Sequence, residues 1–124
     1  MKVDPMPRAA PRLVLVVEDE PLLRMDAVDM IREAGFDVLE ASNADEAILL
    51  LETRLDIEVV FTDIDMPGSM NGIKLAHAVR NRWPPITIIA TSGHFKVRNG
   101  DLPTDVRFLP KPYTPVQVTD AFRG

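Results

Sequence analysis

Carboxylate side chains are the first residues in this sequence whose types and spacing could do chemistry. Glu18 and Asp19 directly follow an apolar run, and Asp63 ends another, with Asp65 two positions further on. Carboxylates that a fold brings together repel one another unless a cation neutralises them. Oxygen ligands without a thiolate favour a hard ion, so this pattern indicates a site for Mg²⁺ or Mn²⁺.

A hydroxyl group and an ammonium group extend the set. Thr91 and Ser92 follow one apolar segment, and Lys111 follows another. A metal ion, a lysine and a hydroxyl together suit the oxygens of a phosphoryl group during its transfer. The chain has no cysteine, so the candidate nucleophile is a carboxylate, which can form an aspartyl phosphate. Each residue taken alone is ordinary, and the hypothesis depends on separate elements delivering their side chains to one place.

Strands and helices must alternate to bring these side chains together. Apolar and β-branched runs predict five strands, at residues 13–17, 36–40, 57–62, 86–90 and 106–109. Helical spacing predicts a helix after each of the first three strands and a last helix over 115–122. The segment 93–105 has room only for a short or partly unwound fourth helix.

This alternation predicts an α/β fold: a flavodoxin-like three-layer sandwich around a parallel five-stranded sheet of order 2-1-3-4-5. In that order the first and third strands are neighbours. We therefore expect Glu18, Asp19 and Asp63 to converge at the crevice where ligands bind, with Thr91 and Lys111 on the same edge.

Several residues at the expected helix ends support these elements. Pro21 suits the first turn of the first helix, and Gly35 suits its carboxyl-terminal cap. Asn43 followed by Glu46 resembles a capping box at the start of the second helix. The Trp83-Pro84 step is expected to end the third helix.

Composition excludes several classes of function. The 124 residues carry a net charge of −5, so there is no electrostatic footprint for nucleic acid or anionic lipid. With no cysteine and two histidines, a disulfide scaffold and a His- or Cys-rich metal site are excluded. We expect residues 1–11, which contain three prolines, to form a flexible tail, and residues 12–124 to form one domain. No apolar run reaches the length of a membrane span, and we expect a cytoplasmic location.

Four motifs together resemble those of a known family. In order and spacing, the chain is similar to the receiver domain of bacterial two-component response regulators, as in chemotaxis receivers. The motifs are VLVVEDEPLL (Val14–Leu23), FTDIDMPGSMNG (Phe61–Gly72), ATSG (Ala90–Gly93) and FLPKPY (Phe108–Tyr113). The Glu-Asp acid pair is a variant of the family's Asp-Asp, and the loop 66–72 is one residue longer than the commonest version.

The resemblance implies roles for the acidic residues. Asp63 would be the phospho-acceptor. Asp19 and Asp63 would bind Mg²⁺ directly, the backbone carbonyl of Asp65 would be a further ligand, and Glu18 would act through a metal-bound water.

The resemblance also implies roles for the remaining residues. Thr91 would hydrogen-bond the phosphoryl group and act as a switch, and Lys111 would pair with a phosphoryl oxygen. The Lys111–Pro112 peptide is expected to be cis. Phe108 falls at the position of the family's switch aromatic, and a plain core residue is the alternative.

The implied function is a phosphorylation switch. The phosphoryl donor would be a sensor histidine kinase or a histidine phosphotransfer protein. Phosphorylation would repack the face made of the fourth helix, fifth strand and last helix, to control binding of an output protein or a homodimer. The chain would be a stand-alone regulator or relay element without its own DNA-binding domain, or a receiver domain excised from a larger hybrid kinase.

Other functions stay open at this point. Asp63-Ile64-Asp65 also resembles the DxD motif of haloacid-dehalogenase-type phosphatases, which form an aspartyl phosphate with Mg²⁺. Those enzymes have a hydroxyl residue where this chain has Pro67, and they usually carry a cap domain, for which 124 residues leave no room. A binding module that signals without phosphorylation is another alternative. A flavin or nucleotide site is disfavoured because no glycine-rich loop follows the first strand.

Overall fold

Strands and helices alternate along the residues that the computed structural model describes, which are 12–66, 71–93 and 101–123. The strands are β1 (Leu13–Val17), β2 (Asp37–Ala41), β3 (Ile57–Asp63), β4 (Thr87–Ser92) and β5 (Arg107–Pro110). The helices are α1 (Pro21–Glu33), α2 (Ala44–Thr53), α3 (Gly72–Arg82) and α4 (Pro115–Arg123). All strand pairs are parallel, in the order β2-β1-β3-β4-β5. The predicted flavodoxin-like α/β fold is confirmed.

The sheet separates two apolar clusters because side chains alternate between its faces. Leu13, Leu15 and Val17 of β1 pack with residues of α2 and α3. Val14 and Val16 face the other way and pack with residues of α1 and α4. Every residue of β1 is buried, which explains why its sequence is a continuous apolar run.

The strands that carry polar residues run further than the apolar pattern predicted. β3 continues to Asp63 and β4 continues to Ser92, and Asp63 pairs with Thr91 in the ladder between them. Backbone pairing extends the strands past their last apolar residue, because the ladder does not depend on side-chain polarity. The two strands therefore carry Asp63 and Thr91 as part of the sheet and not of a loop.

The helix ends follow the sequence signals, except that the Glu46 side chain of the capping box bonds Ser42 and not Asn43. Gly35 has a φ of 101° after α1, a conformation that glycine adopts without strain. The Asn43 side chain accepts a hydrogen bond from the Glu46 N–H at 2.8 Å, as predicted. The Glu46 carboxylate accepts hydrogen bonds from the Ser42 N–H at 2.6 Å and from the Ser42 Oγ–H at 2.7 Å. Trp83 caps the end of α3, as expected.

Residues 101–106 join β5 through turns and contain no helix. Two side chains of α3 hold this segment. The His77 Nε2 lies 2.9 Å from the carbonyl of Asp101, and Arg80 Nε lies 3.0 Å from Asp105 Oδ1. The rest of the expected short fourth helix, residues 94–100, lies outside the described residues. So do the predicted tail 1–11 and residues 67–70 of the long loop.

None of the helices in the described part of the chain has the length and hydropathy of a membrane span.

Candidate functional site

The carboxyl ends of β1, β3, β4 and β5 deliver polar side chains to one edge of the sheet, which we call the carboxyl edge. Glu18 follows β1, and its N–H donates to the Ala41 carbonyl at 3.1 Å. Asp63 and Thr91 are paired ladder residues at the ends of β3 and β4. Lys111 follows β5, and its N–H donates to the Ser92 carbonyl at 2.9 Å. The parallel topology therefore brings together the residues that the sequence predicted.

Three carboxylates converge at this edge. Oxygen atoms of Glu18, Asp19 and Asp63 lie within 4.8 Å of one another. Glu18 and Asp63 are each only 4% exposed. They line a cavity of about 170 Å³, whose other lining residues are Asp19, Glu20, Leu23, Asp65, Gly93 and Lys111. The predicted convergence of the acidic residues is confirmed.

One partly buried lysine bridges two of these carboxylates. Lys111 Nζ lies 2.9 Å from Glu18 Oε1 and 3.4 Å from Asp63 Oδ1. Its side chain is 17% exposed. The Lys111–Pro112 peptide is cis, as predicted. Among the described residues, one ammonium group thus faces two buried acids, so their negative charge exceeds its positive charge.

Burial and neighbouring charges shift the proton affinities of this cluster. Burial raises the pKa of Glu18, and the negative charge of Asp63 adds to the effect, while the hydrogen bond from Lys111 opposes it. For Lys111, burial alone lowers the pKa. The hydrogen bond to Glu18 and the charge of Asp63 outweigh this, so the Lys111 pKa is raised. The lysine therefore keeps its charge at neutral pH.

The turn after β3 is held by contacts on both sides. The Ile64 N–H donates to the Thr91 carbonyl at 2.8 Å, and the Asp65 N–H donates to Asp63 Oδ1 at 3.1 Å. The Asp65 carboxylate accepts hydrogen bonds from Ser92 Oγ–H at 2.8 Å and from the Gly93 N–H at 3.3 Å. Asp65 therefore lines the cavity while the end of β4 holds its side chain.

Two supporting residues were not predicted for this site. One is Arg24 of α1, whose side chain is only 21% exposed. Its guanidinium donates to the backbone carbonyl of Glu18 at 2.9 Å and to Glu40 Oε1 at 3.2 Å. No sequence signal shows this contact, because it depends on β2 lying beside β1. Gly72 begins α3 so close to β3 that an added Cβ would lie 2.1 Å from the Asp63 backbone oxygen.

The aromatic residues near β5 have different surroundings. Phe108 is 40% exposed, which excludes the alternative that it is a plain core residue. Tyr113 packs edge-on against Phe61, with ring centroids 5.7 Å apart, and burial raises the pKa of its hydroxyl to about 12. Tyr113 also lines an apolar cavity of about 400 Å³ beside the acidic one, with Leu23 and Met30 of α1.

The donor set of the acidic cavity fits a hard divalent cation. Its three converging ligand groups are carboxylates, and Mg²⁺ prefers oxygen ligands of this kind. The chain offers no thiolate to compete. The remaining negative charge left by Lys111 is what a cation would neutralise.

Comparison with protein-family models identifies the family to which this fold belongs. The model of the response regulator receiver domain matches residues 14–123. The chain belongs to the response regulator receiver domain family. Receiver domains bind Mg²⁺ at an acidic cluster, and they interact with histidine kinases or phosphotransfer proteins and with output partners. The match supports a receiver domain and not the phosphatase alternative.

Known relatives and solved structures include both kinase-linked and small receiver domains. Sensor kinase CckA of Brucella abortus (strain 2308) is 36% identical over 107 residues, 82% of this chain but 11% of that protein. Chemotaxis protein CheY1 of Helicobacter pylori (strain J99) is 36% identical over 108 residues, 82% of this chain and 86% of that protein. A response regulator receiver protein from Sinorhizobium medicae WSM419 is 31% identical, with a TM-score of 0.81 and 90% of each chain covered. Because the chain spans about a tenth of the sensor kinase, the kinase's own activity is not carried over to it.

Proposed function

We propose that this receiver domain accepts a phosphoryl group on Asp63 from a phosphohistidine donor in a Mg²⁺-dependent reaction. The observation that carries the proposal is Lys111 Nζ, which lies within 3.4 Å of both Glu18 and Asp63 in a cavity with three converging carboxylates. The donor would be a sensor histidine kinase or a histidine phosphotransfer protein. The cytoplasmic location expected from the sequence stays a prediction.

The chemistry follows from the carboxylate nucleophile. An oxygen of Asp63 attacks the phosphorus of the donor, the P–N bond breaks, and the histidine imidazole leaves with its electron pair and takes a proton from solvent. Lys111 stabilises the negative charge of the transferred group at close range. Because its ammonium already faces Asp63, this stabilisation requires no large rearrangement of the lysine.

The cation would be held mainly by the acidic residues of the first and third strands. Asp19 and Asp63 would bind it directly, with the backbone carbonyl of Asp65, and Glu18 would act through a metal-bound water. The hydrogen bond from Lys111 to Glu18 supports this division, because it already occupies one Glu18 oxygen. When bound, the Mg²⁺ supplies charge neutralisation for the incoming phosphoryl oxygens.

The switch would run from Thr91 toward the surface of β5 and α4. Thr91 is 1% exposed and pairs with Asp63 in the ladder, so a phosphoryl group on Asp63 arrives beside its hydroxyl. A hydrogen bond from Thr91 to that group would draw the end of β4 toward the cavity. Phe108 on the neighbouring strand, exposed on the surface, would respond as the switch aromatic.

The readout would be binding of another protein through the surface around β5 and α4. Phe108 and Val116 are exposed there, at 40% and 67%, and such apolar side chains suit a protein interface. The partner would be an output protein or a second copy of the chain.

The test is intact-mass spectrometry after incubation with acetyl phosphate and Mg²⁺. We expect one added phosphoryl group on the wild-type chain, none with EDTA, and none on Asp63→Asn. Asp65→Asn is the matched control, because it removes a carboxylate that lines the same cavity and should still be modified.

Two results would contradict the proposal. One is an adduct of the same size on Asp63→Asn, which would place the modification elsewhere. The other is a wild-type chain left unmodified both by acetyl phosphate and by a phosphorylated histidine phosphotransfer domain.

A further inference from the structure

A hydrogen-bonded clasp joins the turn after β3 to the end of β4. The Asp65 carboxylate accepts from Ser92 Oγ–H at 2.8 Å and from the Gly93 N–H at 3.3 Å. Ser92 is only 3% exposed and lies in the β4 ladder opposite Pro110. The turn is therefore attached to a residue that the sheet itself holds in place.

The clasp directs the Asp65 carboxylate away from the other acids. Carboxylate oxygens of Glu18, Asp19 and Asp63 converge as a possible ligand set, whereas the Asp65 carboxylate is bonded to β4. Asp65 nevertheless lines the same cavity. Its side chain is thus engaged as an anchor by the end of β4.

The turn is also held by hydrogen bonds of its backbone, and the clasp adds an attachment at the Asp65 side chain. Among the described residues, these backbone bonds run from the Ile64 N–H to the Thr91 carbonyl at 2.8 Å, from the Asp65 N–H to Asp63 Oδ1 at 3.1 Å, and from the Met66 and Gly72 N–H groups to the Ile64 carbonyl at 2.9 and 3.3 Å. A loop carbonyl binds a cation well only if its position is fixed beforehand, since ordering it on binding costs conformational entropy.

We propose that Ser92 is a positioning residue for the cation: by holding the Asp65 carboxylate, it fixes the Asp65 backbone carbonyl for metal binding. This inference rests on the proposed function, which makes that carbonyl a ligand. Ser92 itself does not touch the ion in this scheme. Its hydroxyl acts through the Asp65 carboxylate.

The clasp also prevents a competing arrangement. A carboxylate two residues from Asp63, released from Ser92, can turn into the cavity and ligate the ion in place of the carbonyl. The two arrangements predict opposite results when the serine hydroxyl is removed. Loss of a fixed carbonyl weakens Mg²⁺ binding, whereas gain of a free carboxylate strengthens it.

The experiment is isothermal titration of MgCl₂ into the full chain, for the wild type and four variants. Ser92→Ala leaves every carboxylate in place, so any change in affinity arises from position and not from charge. We expect Ser92→Ala to weaken Mg²⁺ binding about tenfold, within the range seen when partners of metal ligands are removed. Asp65→Ala should weaken it at least as much.

A double-variant cycle and a conservative variant identify the route of the effect. If Ser92 acts through Asp65, the Ser92→Ala/Asp65→Ala double variant binds no more weakly than Asp65→Ala alone. Asp65→Asn keeps a side-chain oxygen that the Ser92 hydroxyl can bond, so this variant should retain most of the Mg²⁺ affinity. The affinity that it does lose comes from the removed negative charge, and this loss should therefore become smaller at high salt. Thermal unfolding in EDTA should change little between the wild type and Ser92→Ala.

The outcomes separate this inference from the proposed function. Wild-type protein that binds no Mg²⁺ overturns the metal part of the proposed function and the inference with it. Wild-type protein that binds Mg²⁺, with equal or tighter binding by Ser92→Ala, overturns the inference alone. Additive losses in the double variant also overturn it, because Ser92 would then act independently of Asp65.

Discussion

The charged side chains at the two edges of the sheet differ in how far they are exposed to solvent. At the amino edge, where β3 and β4 begin, Arg54 pairs with Asp56 at 2.7 Å and Arg82 pairs with Glu52 at 2.8 Å. These four side chains are each at least 41% exposed. At the carboxyl edge, Lys111 and its two acidic partners are at most 17% exposed.

The difference in exposure determines what each pair of charges does. Exposed ion pairs are screened by water and contribute little to stability. Buried acids that outnumber their cation cost free energy, and a chain selected for stability alone would replace them. The amino edge is therefore a solvated rim with balanced charges. At the carboxyl edge, the uncompensated acids are a signature of function, because an incoming cation relieves the cost.

The largest effect should come from crowding the carboxyl edge at Gly72. In Gly72→Ala, the new Cβ would lie 2.1 Å from the Asp63 oxygen and 2.6 Å from the Ile64 Cα. Both are backbone atoms, so β3 and α3 must separate. We expect a loss of about 4 kcal/mol in the free energy of unfolding, measured by urea denaturation.

Gly35→Ala is the matched control for this substitution. Nothing lies within 4 Å of its added Cβ, and the cost comes only from the φ of 101°, about 1 kcal/mol. Equal losses for the two variants would show that crowding at Asp63 is not the cause.

A smaller loss should follow removal of Lys111, the cation that pairs with the acidic cluster within the described residues. Lys111→Met leaves Glu18 and Asp63 buried without their partner, and we expect a loss of about 2 kcal/mol at pH 7.5 in EDTA. The raised Glu18 pKa rises further without the lysine, and a carboxyl group with a raised pKa stabilises the fold when protonated. Stability of this variant should therefore recover relative to the wild type as the pH falls from 7 toward 5.

Urea denaturation at both pH values checks this expectation, with Lys111→Arg as the control that keeps the charge. A loss that stays the same at pH 5 and pH 7.5 would rule out the buried carboxylates as its source. Added Mg²⁺ should restore part of the stability at pH 7.5, because it neutralises the same acids.

The smallest effect should come from breaking a pair at the amino edge. Glu52→Gln removes the partner of Arg82, and both side chains are more than 40% exposed. We expect a change below about 0.5 kcal/mol in the free energy of unfolding. A loss comparable to that of Lys111→Met would overturn the contrast between the edges.

The sequence was sufficient for the fold and for the convergence of the acids. Apolar runs such as Leu13–Val17 identified the buried strands, and the carboxyl ends of parallel strands must share an edge, so Glu18 and Asp63 could be placed together. The positions of Thr91 and Lys111 at this edge followed from the same rule.

The rest depended on neighbours that are distant in sequence. The contacts of Arg24 depend on β2, which brings Glu40 beside α1. The hydrogen bond between Ser92 and Asp65 joins residues 27 positions apart. It depends on the backbone conformation of the turn after β3, which the spacing of apolar residues does not predict. Phe108 was ambiguous for a similar reason, since burial on an edge strand depends on what covers it.

One further consequence concerns how the molecule can be observed. The chain has a single tryptophan and a single tyrosine, and they lie at opposite edges of the sheet. Trp83 stacks with Arg82 at the amino edge, with the guanidinium 4.4 Å from the ring centroid, whereas Tyr113 lines the cavity beside Lys111. Each edge therefore carries its own natural optical probe. Fluorescence of Trp83 reports on the solvated rim, and ultraviolet absorbance of the Tyr113 phenol reports on the acidic edge, without any added label.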